Sequence, residues 1–443
     1  MGLRMTDFDP QDRIVDYLRH QVFEEEYFLR AYEMDPYTRV IYRRFRELYW
    51  TVSRLLKRGK ATKLPGALAR PIFRGTMQFH SGPRVFIDST DLMMSGKVTG
   101  IQRVVKEISA NAVALGMGLP VVIKDGRLAA AFGDESKAIE CREGDILLLL
   151  DAGWNRIDDY APLLQYFRAR GGKIVACLYD LFPLLYPTLY NPTLIANFQA
   201  WTHRVLLDCD AIIAISKSVA DRFAIYVKGL ERKPRDGMKL GWWRLGADFK
   251  QEDNKAPAAS IEALAQRAPF FLSVGTVETR KGYPVALEAF ERLWAEGLDA
   301  NFVIVGRTGW NAAAFENRLR GHREKGRRLF WLDNASDADL TFLYREARAV
   351  VLPNIAEGFG LPLVEAAHFG APVIASDIAV FREIGGDAAC YFDLLNTGSL
   401  MERIRQTLAT EKIASNIPSV SWVESTAELM RILHEERYQR VLG

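Results

Sequence analysis

The sequence predicts an α/β protein with two doubly wound, Rossmann-like parallel sheets that face each other across a cleft. From about residue 84 onwards, short and almost continuously apolar runs alternate with helical stretches, which is typical of strands covered by helices on both faces. The alternation stops at residues 249–268, which are rich in Ala, Pro and polar residues, and then resumes. Such sheets bind ligands at the carboxyl ends of their strands, so we expect the functional site in the cleft.

Each unit contains six strand candidates with helix candidates between them. In the first unit the strand candidates are 85–88, 119–123, 145–151, 173–180, 211–216 and 238–243, and the helix candidates are 101–115, 158–170, 192–207 and 217–227. In the second unit the strand candidates are 270–275, 300–306, 328–332, 349–353, 371–376 and 388–392, and the helix candidates are 283–296, 311–325, 337–347, 362–369 and 398–410. The predicted domains are a helical basic extension (1–80), a first Rossmann-like domain (81–248), a linker (249–268), a second Rossmann-like domain (269–420) and a crossover helix (421–443).

The composition excludes several classes of protein. Charged residues make up 26% of the 443 residues and the net charge is +3, so the chain as a whole carries no strong signal for a polyanionic partner. No apolar run approaches the ~20 residues of a membrane span. The four cysteines stand singly within apolar runs and lack metal-ligand spacing, which predicts reduced core residues in a cytoplasmic protein.

A strongly basic segment precedes the first sheet. Residues 39–74 hold eleven Arg or Lys against one acid, Glu47, and aromatic residues interleave with the bases. This pattern is typical of a helix that lies on an anionic membrane surface. A solvated basic helix that packs on the body through its aromatics is the alternative. RNA binding is a weaker option, and we predict no nucleic-acid partner because no recognised motif accompanies the segment.

The stretch SVGTVETRKGYP, residues 273–284, places two cations after a strand. The strand ends at Gly275, the loop carries Arg280 and Lys281, and a helix begins directly afterwards. A cationic pair beside a helix N-terminus can bind a diphosphate. The alternative is a surface turn with two solvated bases. The next strand ends in the same way, at Gly306, and is ambiguous by itself.

The stretch EGFGLPLVE, residues 357–365, places two acids around a glycine-containing bend. A buried strand ends before it, and Pro362 suits the first turn of the helix that follows. Gly358 and Gly360 let backbone N–H groups approach an anion or a sugar, supported by the helix dipole. A helix whose Glu365 only complements its own dipole is the alternative, but it leaves Glu357 unexplained.

These stretches together resemble a known family. The blocks VGTVETRKG, VIVGRTGW and LPNIAEGFGLPLVEAAHFGAPVIASDIAVFREIGGDAACYFD are similar to the C-terminal domain of family 4 retaining glycosyltransferases with the GT-B fold. The bacterial mannosyl- and rhamnosyltransferase-like members, which build O-antigen, capsule and exopolysaccharide, are the most similar. In the first unit, IDSTDLMMSGKVTGIQRVVKEI, LYDLFPLLYP and AIIAISKSVADRF resemble the acceptor-side blocks. The resemblance covers most of residues 84–393 and none of residues 1–80.

The resemblance implies roles for residues of the second unit. Glu365 matches the acid that binds the nucleotide ribose, and Glu357 matches the acid near the donor sugar. Arg280 and Lys281 match the cations that hold the donor diphosphate and stabilise it as a leaving group. The remaining expected donor contacts are Gly275, Thr276, Gly306, Gly358, Phe359, Gly360 and Leu361.

The resemblance also implies roles in the first unit. Thr99 and Gly100 match a loop that closes on the phosphates, while Asp180 and Tyr179 lie on the acceptor side. Many relatives carry His where this chain has Tyr179, so we expect Tyr179 only to shape the pocket. Relatives also often carry Arg directly after the glycine, where this chain has Thr276, and we expect Arg280 to replace that Arg.

The implied function is a retaining, metal-independent glycosyltransferase without a cofactor. We expect GDP-mannose as the first donor, with dTDP-rhamnose and UDP-sugars as other options, and a polyprenyl-diphosphate-linked or other glycan acceptor at the inner face of the cytoplasmic membrane. Two alternatives stay open, a GT-B sugar-nucleotide epimerase and a non-catalytic scaffold that binds membrane or partner proteins. The segments DFD (7–9) and DCD (208–210) mimic a metal-binding DxD motif, and we interpret both as chance.

Overall fold

The computed structural model describes residues 82–95, 100–132, 139–230, 233–248, 256–309 and 312–442. The basic segment 39–74 and the predicted phosphate-loop residue Thr99 lie outside these ranges. Among the helices of the described ranges, none is both long enough and apolar enough to cross a bilayer.

The first sheet is built mainly from the first half of the chain. Its strands are β1 (Val85–Asp88), β2 (Leu119–Lys124), β3 (Arg127–Ala130), β4 (Ile146–Leu149), β5 (Lys173–Leu178), β6 (Ala211–Ala214), β7 (Lys239–Trp242) and β14 (Arg440–Val441). They are ordered β14-β7-β6-β5-β4-β1-β2-β3, and only the edge strands β3 and β14 are antiparallel to their neighbours. All four residues of β4 are buried Ile and Leu, as a central strand covered on both faces requires.

Helices cover both faces of this sheet. They are α1 (Thr90–Ser95), α2 (Gly100–Ala114), α3 (Ile157–Ala169), α4 (Phe182–Leu185), α5 (Pro192–Asp208) and α6 (Lys217–Lys228). A last helix, α14 (Trp422–Glu435), packs against α2. The chain therefore returns to the first sheet at its C-terminal end, as expected of the predicted crossover helix.

The second sheet is parallel throughout its described strands. These are β8 (Phe270–Val274), β9 (Asn301–Val305), β10 (Leu329–Leu332), β11 (Ala349–Leu352), β12 (Val373–Ser376) and β13 (Cys390–Phe392), in the order β10-β9-β8-β11-β12-β13. The accompanying helices are α7 (Ala259–Arg267), α8 (Tyr283–Ala295), α9 (Ala313–Arg320), α10 (Asp337–Glu346), α11 (Leu361–His368), α12 (Ala379–Gly385) and α13 (Thr397–Ala409). The pairing of β8 with both β9 and β11 places the ends of these three strands side by side.

The structure corrects the predicted crossover helix (421–443), which is shorter and spans only Trp422–Glu435. The helix ends before Glu436, whose φ of 52° is left-handed. The Glu436 carboxylate then lies between the Lys173 and Lys239 ammonium groups, and the chain adds β14 to the edge of the first sheet. A two-residue strand depends on its partner rather than on its own apolar pattern, which is why the sequence did not reveal it.

Two further elements differ from the prediction. Residues 259–267, within the predicted linker, form α7 because Ile261 and Leu264 give it a buried face. The helix predicted over 311–325 is shorter and ends before Gly321. The predicted domain boundaries themselves remain predictions. Cys390 is exposed on the edge strand β13 and is therefore not a core residue, whereas Cys141 and Cys209 are buried as expected.

The apolar core is continuous between the two sheets. Tyr179 and Ile215, from the first sheet, belong to the same buried cluster as Phe359 and Leu363 of the second. Apolar residues of the segment after β5 likewise pack into a cluster formed mainly by the second sheet. The carboxyl ends of the two sets of strands are thus held against each other, which positions the site described next.

Candidate functional site

The loops after β8 and β9 run side by side at the carboxyl edge of the second sheet. The Val277 N–H donates to the Arg307 carbonyl at 2.8 Å, and Val277 forms a bridge with Thr308. A Cβ on Gly306 would collide with the Gly275 carbonyl oxygen, so this close approach requires a glycine. Both glycines lie at the strand ends where the sequence placed them, and Thr276 is exposed beside them.

Three donors converge on one oxygen of Glu357. Lys281 Nζ lies 2.7 Å from Oε2, Arg280 Nη1 lies 3.1 Å from it, and Asn354 Nδ2 lies 2.6 Å from it. None of the described residues donates a hydrogen bond to the other oxygen, Oε1. Lys281 is only 7% exposed, and its two remaining N–H groups meet no acceptor in the described part of the chain. The sequence-predicted cations and acid therefore form one cluster, with hydrogen-bonding capacity left on both signs of charge.

The charge on Glu357 is fixed by these cations. Burial would raise the pKa of its carboxyl, but the charges of Lys281 and Arg280, with the hydrogen bonds from Lys281 and Asn354, lower that pKa to about 2. Burial would lower the pKa of Arg280, and Glu278 and Glu357 raise it. Glu357 is accordingly ionised at neutral pH, and such a carboxylate is unsuited to act as a general acid.

The glycine-containing loop before α11 contacts the first sheet. A Cβ on Gly358 would collide with the Tyr179 carbonyl oxygen, so the loop and the end of β5 touch backbone to backbone. The Ser216 hydroxyl donates to the Gly358 carbonyl at 2.7 Å and also accepts from the Val219 N–H, so Ser216 caps the N-terminus of α6. The two sheets therefore meet directly beside Glu357.

The other predicted residues of this loop offer mainly backbone. The Phe359 side chain is 2% exposed and belongs to the core, so only its main chain is available to a ligand. Gly360 caps α11 in a left-handed conformation, with a φ of 94°, and Leu361 is the first residue of the helix. This arrangement is compatible with the predicted amide contacts.

Glu365 is buried at 3% exposure and is held from two sides. The Tyr344 hydroxyl donates to Oε2 at 2.6 Å. Arg103, which lies on α2 of the first sheet, forms an ion pair with Oε1. The acid expected to hold a ribose is therefore contacted by a cation from the opposite sheet.

Tyr179 and Asp180, which were predicted to lie on the acceptor side, directly follow β5. The Tyr179 hydroxyl donates to the Leu150 carbonyl at 2.8 Å, so the side chain is directed into the first sheet, and its carbonyl meets Gly358. Asp180 follows and accepts from the Phe182 N–H at 3.0 Å. The Phe182 ring lies 5.6 Å from the Arg280 guanidinium carbon, which brings this segment to the cations. Gly100 begins α2 and is exposed.

The environment of Asp180 opposes ionisation. Burial raises the pKa of its carboxyl to about 6, although the Arg280 charge and the Phe182 N–H lower it, while the charges of Glu357 and Glu278 raise it further. The pKa of Asp180 therefore depends on the charges of Arg280, Glu357 and Glu278 of the second sheet. Its ionisation depends on how those charges are neutralised.

A second buried pair of carboxyls lies at the ends of β1 and β4. Asp88 accepts from the Tyr160 hydroxyl at 2.7 Å and from both the N–H and the hydroxyl of Thr90. Asp151 accepts from the Leu92 N–H at 2.7 Å, so both acids hold the start of α1. Burial raises the pKa of each carboxyl, and the charge of Asp88 raises that of Asp151 further. Within the described part of the chain, neither acid forms an ion pair with a cation.

The DCD segment pairs with arginines. Asp208 contacts Arg204 and Arg168, and Asp210 contacts Arg235. These ion pairs account for both acids without a metal. Across the described ranges, no cluster of three or more His, Cys, Asp or Glu side chains has the arrangement of a metal site.

Several residues of the site were not found from the sequence. Asn354 directly precedes the loop, but its amide only becomes meaningful once Glu357 is seen beside it. Arg103 lies inside the TGIQR block, which marked that region without marking the side chain. Tyr344 and the Asp88–Asp151 pair carry no local motif, because their partners are distant in the sequence.

Comparison with known proteins identifies the family of the domain that contains the second sheet. Residues 255–418 match the family model described as glycosyl transferases group 1. This part of the chain is a group 1 glycosyltransferase domain. The finding confirms the predicted resemblance, and the matched range includes both cations and both acids of the edge described above.

Curated relatives extend beyond the group 1 glycosyltransferase domain. The chain is 30% identical over 395 residues to the serotype-specific mannosyltransferase WbdA of Escherichia coli, covering 83% of this chain and 46% of the relative. It is 31% identical over 171 residues to O-antigen chain mannosyltransferase B of Escherichia coli, covering 36% of this chain and 44% of the relative. The chain thus spans about half the length of these relatives.

A solved structure supports the fold. Sucrose-phosphate synthase from Thermosynechococcus elongatus superimposes with a TM-score of 0.51 at 15% identity, covering 80% of this chain and 95% of that structure. At this identity the likeness concerns the fold alone. Together with the two facing sheets, it confirms the predicted α/β, GT-B architecture around the group 1 glycosyltransferase domain.

Proposed function

We propose that the chain is a retaining glycosyltransferase that moves a mannosyl group, with GDP-mannose as the first donor to test, to a lipid-linked or other glycan acceptor. The proposal places this reaction in bacterial surface polysaccharide synthesis. The relatives named as mannosyltransferases and the group 1 domain support it. The observation that carries it is the convergence of Arg280, Lys281 and Glu357 at strand ends that face the first sheet.

The cations suit the leaving group of a nucleotide sugar. When the glycosyl bond breaks, negative charge develops on the departing diphosphate. Lys281 retains two N–H groups for phosphate oxygens, and Arg280 lies next to it in a site already shielded from water. Because both cations are held before the ligand arrives, they stabilise that charge without a costly rearrangement.

The two acids suit different parts of the donor. Glu357 Oε1 is available to accept a hydrogen bond from a sugar hydroxyl, while Oε2 stays bound to the cations. Glu365 is the acid proposed to hold the ribose. Since Glu357 remains ionised, its proposed role is to orient the sugar and to balance the cations rather than to transfer a proton.

The acceptor is proposed to approach from the first sheet, past Asp180. In a retaining reaction the acceptor attacks on the face from which the diphosphate leaves. The departing phosphate can then take the acceptor proton, so the proposal requires no protein base. Hydrolase-style double displacement needs an acid and a nucleophilic carboxylate that flank the reacting carbon. Glu357, with one oxygen tied to three donors, is poorly suited to be that nucleophile.

The proposed transferase activity is tested by incubating the protein with GDP-mannose, dTDP-rhamnose and UDP-glucose and by measuring nucleoside diphosphate release with and without a polyprenyl-diphosphate-linked glycan. We expect acceptor-dependent release from one donor, and its loss in Lys281→Ala but not in Lys325→Ala, an exposed control. Release that needs no acceptor and yields an isomerised sugar nucleotide would instead favour an epimerase. No turnover of any donor, with cellular function intact in Lys281→Ala, would favour a scaffold.

We further propose that residues 39–74 attach the enzyme to the inner face of the cytoplasmic membrane. The eleven bases of this segment would be attracted to anionic headgroups at about 1 kcal/mol each. The test is co-sedimentation with vesicles of phosphatidylglycerol and phosphatidylethanolamine. A full-length variant with Arg43, Arg44, Arg46, Lys57 and Arg58 changed to Gln is expected to remain in the supernatant.

The control removes the same number of charges elsewhere, by changing five exposed arginines of the described surface to Gln: Arg292, Arg318, Arg320, Arg405 and Arg431. These belong to exposed ion pairs, which contribute little to stability. Equal loss of vesicle binding in both variants would attribute the effect to net charge and would defeat the membrane proposal.

A further inference from the structure

Arg103 contacts the carboxylate of Glu365 from the opposite sheet. Glu365 is almost fully buried, and the Tyr344 hydroxyl holds its Oε2 from within the second sheet. Arg103 contacts the other oxygen, Oε1, from α2 of the first sheet, and its side chain is 22% exposed against 4% for Glu365. Arg103 is therefore the more exposed partner of this ion pair.

A ribose bound to Glu365 would have to displace this contact. Tyr344 is fully buried and is fixed in the core beside Glu365, so it cannot move away easily. The ion pair with Arg103 joins two different sheets and is the more exposed of the two contacts. A guanidinium that leaves a nearly buried carboxylate gives up a charge-assisted hydrogen bond, and another anion within its reach can restore that bond.

The incoming nucleotide supplies that anion. In any nucleoside diphosphate the phosphates are joined to the ribose, so a ribose on Glu365 brings its diphosphate close to the position that Arg103 occupies. Guanidinium groups bind phosphate through two parallel hydrogen bonds, a geometry that lysine does not reproduce. We propose that Arg103 is a donor-binding residue, which exchanges Glu365 for the diphosphate when the ribose takes its place. This inference rests on the proposed donor site around Glu365.

The exchange gives Arg103 a positioning role in the reaction. It would add a cation from the first sheet to Arg280 and Lys281 of the second, and it would do so only when a ribose has released it. A nucleoside without phosphates has to break the Arg103–Glu365 pair and offers nothing in return. A nucleoside diphosphate breaks the same pair and replaces it, so the two ligands should respond to Arg103 in opposite ways.

The experiment compares these two ligands in the full chain. Thermal shift with GDP, UDP, dTDP and ADP identifies the diphosphate that wild type prefers, and titration calorimetry then measures its Kd, with the matching nucleoside as competitor. In Arg103→Ala we expect affinity for the diphosphate to fall about tenfold or more, since the two parallel hydrogen bonds from Arg103 to phosphate outweigh the contact that Arg103 gives up at Glu365. Affinity for the nucleoside is expected to stay equal or to increase. Arg103→Lys should be intermediate for the diphosphate.

The matched control is Arg244→Ala. Arg244 also joins the two halves of the chain, but through the carbonyls of Ile384 and Pro418 rather than through Glu365. The Arg244→Ala variant should therefore leave the ratio of the affinities for the diphosphate and the nucleoside unchanged. If Arg103→Ala weakened both ligands to the same degree, Arg103 would have only a structural role and the inference would be wrong. Unchanged affinity for the diphosphate would also overturn it. Failure of wild type to bind any of the four diphosphates would instead refute the proposed function, and this inference with it.

Discussion

Both sheets have buried carboxyls at the carboxyl edge of their strands, but the pKa values of these carboxyls are shifted in opposite directions. At the edge of the second sheet, Glu357 is surrounded by Arg280 and Lys281, and its pKa is lowered to about 2. At the edge of the first sheet, Asp88 and Asp151 lie close together, hold backbone and hydroxyl donors, and have raised pKa values because they are buried. Both edges contain buried carboxyls at the ends of parallel strands, but among the described residues cations pair with these carboxyls only at the second edge.

This difference separates placement from chemistry. A doubly wound sheet brings loops together at the carboxyl ends of its strands, whatever residues they carry. The charges of those residues then decide what the edge can bind. The second edge offers the N–H groups of two cations, which can bind an anion. At the first edge the acids instead hold α1, and the Asp91–Gln102 hydrogen bond connects α1 to α2. The donor phosphate is therefore expected at the second edge, and the first edge positions the elements that approach it.

The largest effect is expected when a cation is removed from the second edge. Lys281→Ala should lower kcat/KM for the nucleotide-sugar donor by about 10²–10³-fold, as removal of one charge-stabilising donor does in other enzymes. Steady-state assays with wild type and the exposed control Lys325→Ala provide the measurement. A loss in both variants, or in neither, would mean that Lys281 does not stabilise the leaving group.

Removing the carboxylate of the same edge should affect stability instead. Glu357→Ala leaves the nearly buried Lys281 without its acidic partner and should lower the free energy of unfolding by about 3 kcal/mol. Urea unfolding at neutral pH measures it, and Glu357→Gln, which keeps the volume, should lose less. Addition of the nucleoside diphosphate that binds wild type should stabilise Glu357→Ala more than wild type, since the ligand replaces the missing negative charge. Equal stability of wild type and Glu357→Ala would contradict the cluster described here.

The raised pKa values of the acids at the first edge should make the free energy of unfolding depend on pH with the opposite sign. Burial raises the pKa of Asp88 to about 6, so the folded state holds a proton that the unfolded chain releases near pH 4. Stability should therefore fall as pH rises from about 4 to about 6, with a slope of up to about 1.4 kcal/mol per pH unit for one proton. Glu357 contributes in the opposite sense, but only as pH falls below about 4 toward 2.

Asp88→Asn isolates this contribution. Asn keeps the oxygen that accepts from Thr90 and cannot ionise, so the decrease in unfolding free energy between pH 4 and pH 6 should become shallower. Urea midpoints at three or four pH values in that range suffice. An unchanged slope would show that the Asp88 carboxyl is already ionised in the folded protein.

The smallest effect is expected where the two edges touch. Gly358→Ala would push the loop away from the Tyr179 carbonyl and should lower activity about fivefold, since small displacements of catalytic groups already slow reactions. Gly229→Ala is the control, because a Cβ there meets only ordinary van der Waals contact. If both variants kept full activity, close contact between the sheets would not be needed for turnover.

Much of this molecule follows from local patterns in the sequence. The apolar runs at β4 and β11 predict buried parallel strands, and the neighbouring positions of β8 and β11 bring Arg280 and Lys281 to Glu357. What the sequence did not reveal depends on partners far along the chain. The Arg103–Glu365 pair joins residues 262 positions apart, and β14 exists only because β7 offers an edge. Neither leaves a periodic or compositional signal.

A crystal structure of the protein with the nucleoside diphosphate that stabilises it most would show which edge binds the donor phosphates. We expect the diphosphate within hydrogen-bonding distance of Lys281 Nζ and Arg280, with the ribose on Glu365 and Glu357 still bound to both cations. A nucleotide whose phosphates lie at the first edge, near Asp88 and Asp151, or away from both edges, would contradict this expectation.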